Sequence, residues 1–171
     1  RCGSIAAKSK IIKSVINFIN SGGLVLGICN GFQILIETGL LPGALLRNKY
    51  LEFICKNVFV KINKQKNNYF KGIKKEILKL HIAHNEGNYF CTQDEIKQIE
   101  DNNQIALCYS NEQGEIDEKY NPNGSLKNIA GIFNKKKNVL GMMPHPERMI
   151  DKYLSGDDGS IFFETLLNNI N

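Results

Sequence analysis

The stretch Leu24-Val25-Leu26-Gly27-Ile28-Cys29-Asn30-Gly31-Phe32-Gln33 restricts what this chain can fold into more than any other. An uninterrupted apolar run leads into a cysteine that has glycine two places before it and two places after. The run then gives way to a segment of helical character. This is the strand–turn–helix pattern of a nucleophile elbow in its G-x-C-x-G form. A residue forced into so sharp a turn leaves little room for neighbouring side chains, which is what glycine supplies. The turn lifts the sulfur out at the edge of a sheet. The first N–H groups of the following helix point at it, where they stabilise a thiolate or an oxyanion.

Most free cysteines are small core hydrophobes, so the motif needs a partner. A thiol nucleophile requires a base, and the chain has three histidines. One of them, His145, stands in Pro144-His145-Pro146-Glu147, a proline-stiffened segment with a carboxylate two residues on. Cys29, His145 and Glu147 then fit the roles of nucleophile, base and orienter.

Composition narrows the setting. A chain of 171 residues supports one domain with a substantial core. No apolar run approaches the roughly 18–20 residues of a membrane span, and no signal peptide is visible, although the chain begins at Arg1 rather than Met. The five cysteines are odd in number, widely spaced and without a C-x-x-C pair. They suggest neither a zinc site nor a disulfide framework, and a reducing, cytoplasmic compartment fits them. The net charge of +5 is carried mostly by scattered lysines. It reads as a solvated surface rather than a nucleic-acid face, since no aromatic-basic motif accompanies it.

In chain order, apolar spacing predicts a helix over residues 5–20, closed by Ser21-Gly22-Gly23. Residues 24–28 read as a central parallel strand covered on both faces, and 30–38 as the elbow helix. Strands are expected over 53–62, 77–82 and 104–109, with a polar surface loop over 63–75 between the first two. The segment Ala83-His84-Asn85-Glu86-Gly87 follows the second of these strands and makes His84 and Glu86 candidates for substrate contact. Thr92-Gln93-Asp94-Glu95 has capping-box spacing, and 121–124 is a turn. Residues 129–133 and 139–142 form a hairpin with a basic tip. A closing helix covers 161–170. This order predicts an α/β fold with a mostly parallel central sheet and the ligand site at the carboxyl ends of its strands.

Gly27-Ile28-Cys29-Asn30-Gly31-Phe32-Gln33, taken with Pro144-His145-Pro146-Glu147, resembles the class I glutamine amidotransferases. The longer strings at 24–48, 82–89 and 128–149 resemble the glutaminase subunits that serve a purine-biosynthetic synthetase, with 39–48 and 141–148 specific to them. The likeness runs over nearly the whole chain. It implies a flavodoxin-like three-layer fold and one amidotransferase domain over residues 1–171, lacking the N-terminal strands and oxyanion loop of its kin. It also implies glutamine hydrolysis through a Cys29 thioester, with His145 as base and Glu147 as its support. Asn30 would lend its N–H to the oxyanion, beside Gly27. Gln33 would hold the glutamine, with Glu86 and His84 near its ammonium end. Ammonia would pass to a large synthetase subunit that binds ATP and Mg²⁺ and converts formylglycinamide ribonucleotide to its amidine. A third small subunit could join the complex. No cofactor, metal, nucleic acid or membrane partner is implied for this chain itself. One departure stands out: Asn85 occupies a position where these subunits carry glycine. The alternatives are an amidotransferase of another pathway, a cysteine protease or deglycase built on the same elbow, and a truncated, non-catalytic regulatory subunit.

Overall fold

The computed structural model describes Ile5 and residues 8–170. Helix α1 (Lys10–Asn20) turns Ile12, Val15, Ile16 and Ile19 inwards and ends where Gly22 takes a left-handed φ of 94°. The expected helix began at residue 5; Ala6 and Ala7 lie outside the described residues. Strand β1 (Val25–Ile28) then runs into α2 (Asn30–Glu37). Next come β2 (Ala44–Leu46), β3 (Ile54–Ile62), β4 (Ile77–His84) and β5 (Asn88–Phe90). Helix α3 (Gln93–Asp101) precedes β6 (Ile105–Ser110), and β7 (Ile129–Phe133) and β8 (Val139–Met142) form the expected hairpin. Helix α4 (Asp158–Asn168) closes the chain.

Six strands form one sheet in the order β1-β8-β7-β6-β3-β4, and β2 pairs with β5 in a small second sheet. Two apolar clusters cover the two faces of the large sheet. One includes Val60, Leu80, Phe133 and Phe162 of α4; the other includes Ile19 of α1, Phe32 of α2 and Ile99 of α3. Helices on both faces make the three layers expected of the α/β class.

Two expectations need correction. The sheet is mixed, not mostly parallel: β1 and β8 pair in parallel, and the other pairings of described strands are antiparallel. β3–β4 and β6–β7–β8 are runs of consecutive strands, whose connections favour antiparallel pairing, while β6 reaches β3 only after β4, β5 and α3 and also pairs with it antiparallel. Among the described residues β1 also ends the sheet rather than lying at its centre, and three of its four residues are only half-buried. The second correction concerns residues 63–75, which are irregular as expected but not all surface. Tyr69 and Phe70 are buried, and the Tyr69 hydroxyl donates to the carbonyls of Val25 (2.7 Å) and Asn138 (2.8 Å), where β1 and β8 begin. A polar run hides such a pair because burial of aromatics depends on what lies across the fold.

Among the described residues no helix is long and apolar enough to cross a membrane.

Candidate active site

The turn after β1 is gripped from both sides. Cys29 N–H donates to the Met142 carbonyl at the end of β8 (2.8 Å), and the Cys29 carbonyl accepts from Gln33 N–H (3.1 Å) as α2 begins. Cys29 stands at φ 52°, ψ −102°, a region side-chain-bearing residues seldom enter and which persists only where the surroundings enforce it. Gly27 is required for space: a Cβ there would lie 2.4 Å from Leu35 Cδ1 and 2.8 Å from the Gly31 carbonyl oxygen. Gly31 is not, since a Cβ at that position would meet nothing within 4 Å. The first glycine of the motif thus lets strand and helix approach. Gly27 does not itself line the cleft described next.

Cys29, Asn30, Gln33, His84, Glu86 and His145 share one cleft of about 540 Å³. Of the predicted residues, only Gly27 and Glu147 are absent from its lining, and Glu147 acts from behind. Pro146 opens a short 3₁₀ turn (Pro146–Arg148) that carries Glu147 back towards the preceding ring. The Glu147 Oε1 lies 2.5 Å from His145 Nδ1. A carboxylate accepts, so Nδ1 carries the ring proton and Nε2 keeps its lone pair. That Nε2 is buried and has no hydrogen-bond partner among the described residues. The His145 main chain is fixed too, its N–H donating to the His81 carbonyl of β4 (2.7 Å).

Burial pushes the Cys29 thiol up; the Asn30 N–H and the positive charge of Arg148 pull the other way without cancelling it, and Glu147 adds to the rise. The resting sulfur is therefore a neutral thiol that needs a base.

His84 is fixed as firmly as His145. Asn48 Nδ2 donates to the carbonyls of Glu52 (2.8 Å) and His84 (2.9 Å), which orients the amide. Its Oδ1 then faces His84 Nδ1 (3.1 Å) and accepts from Gly87 N–H (3.1 Å). His84 therefore carries its proton on Nδ1, and its buried Nε2 is an acceptor without a partner among the described residues. Burial first, then the charge His145 can carry, holds His84 down to about 4, so the ring stays neutral. Gly87 is obligatory beside it, since a Cβ there would sit 2.3 Å from the His84 ring. Gln33 Nε2 donates to Glu86 Oε2 at 3.3 Å, joining the two predicted substrate contacts.

Three contributors carry no sequence signal that singles them out. Asn48 and Arg148 lie at the ends of strings that are distinctive for other residues. Asn123, fully buried, donates to the Gly87 carbonyl (2.8 Å) and so holds the same loop from the far side. A lone asparagine has no periodicity to betray it.

A strained cysteine on an elbow shares one cleft with a histidine backed by a glutamate. The CobB/CobQ-like glutamine amidotransferase domain matches residues 2–156 of the chain. The chain is 72% identical to the phosphoribosylformylglycinamidine synthase subunit PurQ of Pelagibacter ubique, over 99% of its own length and 75% of that protein. It is 53% identical to the PurQ of Synechocystis, over 95% and 73% of the two chains. The chain belongs to the PurQ family of amidotransferases. Among solved structures, that of PurLQS from Thermotoga maritima matches with a TM-score of 0.84 and 37% identity, over 100% of this chain and 73% of that one. A putative GMP synthase component from Thermoplasma acidophilum has a TM-score of 0.56 at 17% identity, over 92% and 62% of the two chains. That is a likeness of fold.

Proposed function

We propose that this chain is the glutaminase subunit of a phosphoribosylformylglycinamidine synthase, working in a reducing, cytoplasmic compartment. The observation that carries the reading is His145: its Nδ1 is held by Glu147 at 2.5 Å, and its unpartnered Nε2 lines the same cleft as the strained Cys29.

His145 Nε2 takes the Cys29 proton, and Glu147 stabilises the imidazolium that results. The thiolate attacks the side-chain carboxamide carbon of glutamine. Asn30 N–H donates to the oxyanion. The tetrahedral intermediate collapses, the imidazolium returns its proton to the leaving nitrogen, and ammonia departs from a glutamyl thioester on Cys29. Water then gives a proton to His145 and hydrolyses the thioester to glutamate, freeing the thiol. His84 Nε2, a fixed acceptor, suits an N–H of glutamine and gives no welcome to an unprotonated oxygen in its place. Ammonia goes on to a large synthetase subunit, where ATP and Mg²⁺ bind and formylglycinamide ribonucleotide becomes the amidine. Relatives solved together as PurLQS support that partnership and a third subunit.

The test is ammonia release from glutamine by the chain assembled with its synthetase partner. Cys29→Ala should lower it by about 10³-fold or more, and mass spectrometry of the quenched wild-type complex should find a glutamyl adduct on Cys29. Undiminished release by Cys29→Ala would sink the assignment.

A further inference from the structure

On the outward face of the β3–β4 hairpin, at the border of the cleft that Ala83 lines, three side chains form a second array of nucleophile, base and orienter. Asn57 and His81 stand directly opposite one another, and Cys55 is opposite Ala83, diagonal to His81. Cys55 Sγ lies 3.4 Å from His81 Nε2, and His81 Nδ1 lies 2.9 Å from Asn57 Oδ1. An amide oxygen only accepts, so the ring proton sits on Nδ1 and the Nε2 lone pair faces the thiol. Cys55 is exposed, whereas Cys91 and Cys108 are buried. His81 is kept in its neutral, basic form by burial and by the nearby charges of Arg148 and His145. The elbow plays no part here. The nucleophile comes from one strand and its base from the next, at the diagonal spacing that lets long side chains meet across an antiparallel pair.

We propose that Cys55 is a reactive thiol distinct from Cys29, a modification site at which His81 acts as base and low-molecular-weight disulfides form a mixed disulfide. As Cys55 sulfur attacks one sulfur of the disulfide, its proton passes to His81 Nε2. The old S–S bond breaks and a new one forms to Cys55. The departing thiolate takes the proton from His81 and leaves as a thiol, so Cys55 is oxidised and the departing sulfur reduced.

The probe is oxidised glutathione, applied to the full chain carrying Cys29→Ser so that the cleft thiol does not compete. Intact mass and peptide mapping follow the adduct in the folded protein and in urea. Cys55 should take the label, at least about ten-fold faster folded than unfolded, as base assistance implies. His81→Gln should remove that advantage while leaving the unfolded rate unchanged. Asn57→Leu, on an exposed position, should reduce it with an unaltered melting curve, and this variant decides the matter if His81→Gln does not fold. A folded rate no higher than the unfolded one, an advantage that survives the substitutions, or labelling of another cysteine instead would overturn the proposal.

Discussion

Asn48 shows how much of this site rests on a side chain with no chemistry of its own. It is 1% exposed, and its amide joins Glu52, His84 and Gly87. It sets which nitrogen of His84 faces the cleft and how the segment 84–87 turns. Asn48→Ala should leave the Gly87 N–H and the His84 Nδ1–H unpaired in the interior, at a cost of about 2–4 kcal/mol. Chemical denaturation would measure it. With its ring released, His84 should no longer present an acceptor, and kcat/KM for glutamine should fall by about ten-fold. A variant as stable and as active as the parent would refute the clamp. The proposed catalytic set of Cys29, His145 and Glu147 was legible because its members sit in short, chemically distinctive strings. Asn48 was not, because its role is defined by three partners, one of them 39 positions away.

The hairpin of β7 and β8 is the element that ties site to core. It sits between β1 and β6, and its last residue, Met142, receives the Cys29 N–H. Gly141 in β8 has no side chain because Phe32 of α2 occupies the space: a Cβ would lie 2.1 Å from Phe32 Cδ2 and 2.5 Å from Leu41 Cδ1. Phe32 is itself fully buried and follows Cys29 by one turn. Gly141→Ala should therefore cost about 1–3 kcal/mol by overpacking and, by displacing α2, should lower ammonia release beyond any loss of folded protein. Denaturation midpoint and activity per folded molecule separate the two effects; a neutral substitution would show that α2 tolerates the shift. Elements with local signatures matched their expected bounds closely, as with the hairpin strands and the Thr92–Glu95 capping box. The pairing of the sheet did not, because alternation and apolar runs mark strands without saying which neighbours they find.

Across the whole molecule, one buried histidine couples stability to acidity. His84 is held down to about 4 in the folded chain, against about 6.5 for an unfolded histidine. Between these values the unfolded chain binds a proton that the folded one refuses. The histidine's contribution is therefore full above about pH 6.5 and lost as the pH falls towards 4. By pH 4.5 the loss attributable to His84 should be about 2–3 kcal/mol. It should appear as the difference between parent and His84→Gln in unfolding free energies measured at pH 7 and pH 4.5. Parallel pH profiles for the two proteins would contradict it. By itself the sequence determined the α/β class, the elbow and the family resemblance, and it supplied the proposed trio of Cys29, His145 and Glu147, since each depends on residue types at fixed short spacings. Only the tertiary structure decided the mixed pairing of the sheet, the burial of Tyr69 and Phe70, the proton position on His84, and the meeting of Cys55 with His81. All of these arise from contacts between segments far apart in the chain, and no local pattern of residues encodes such contacts.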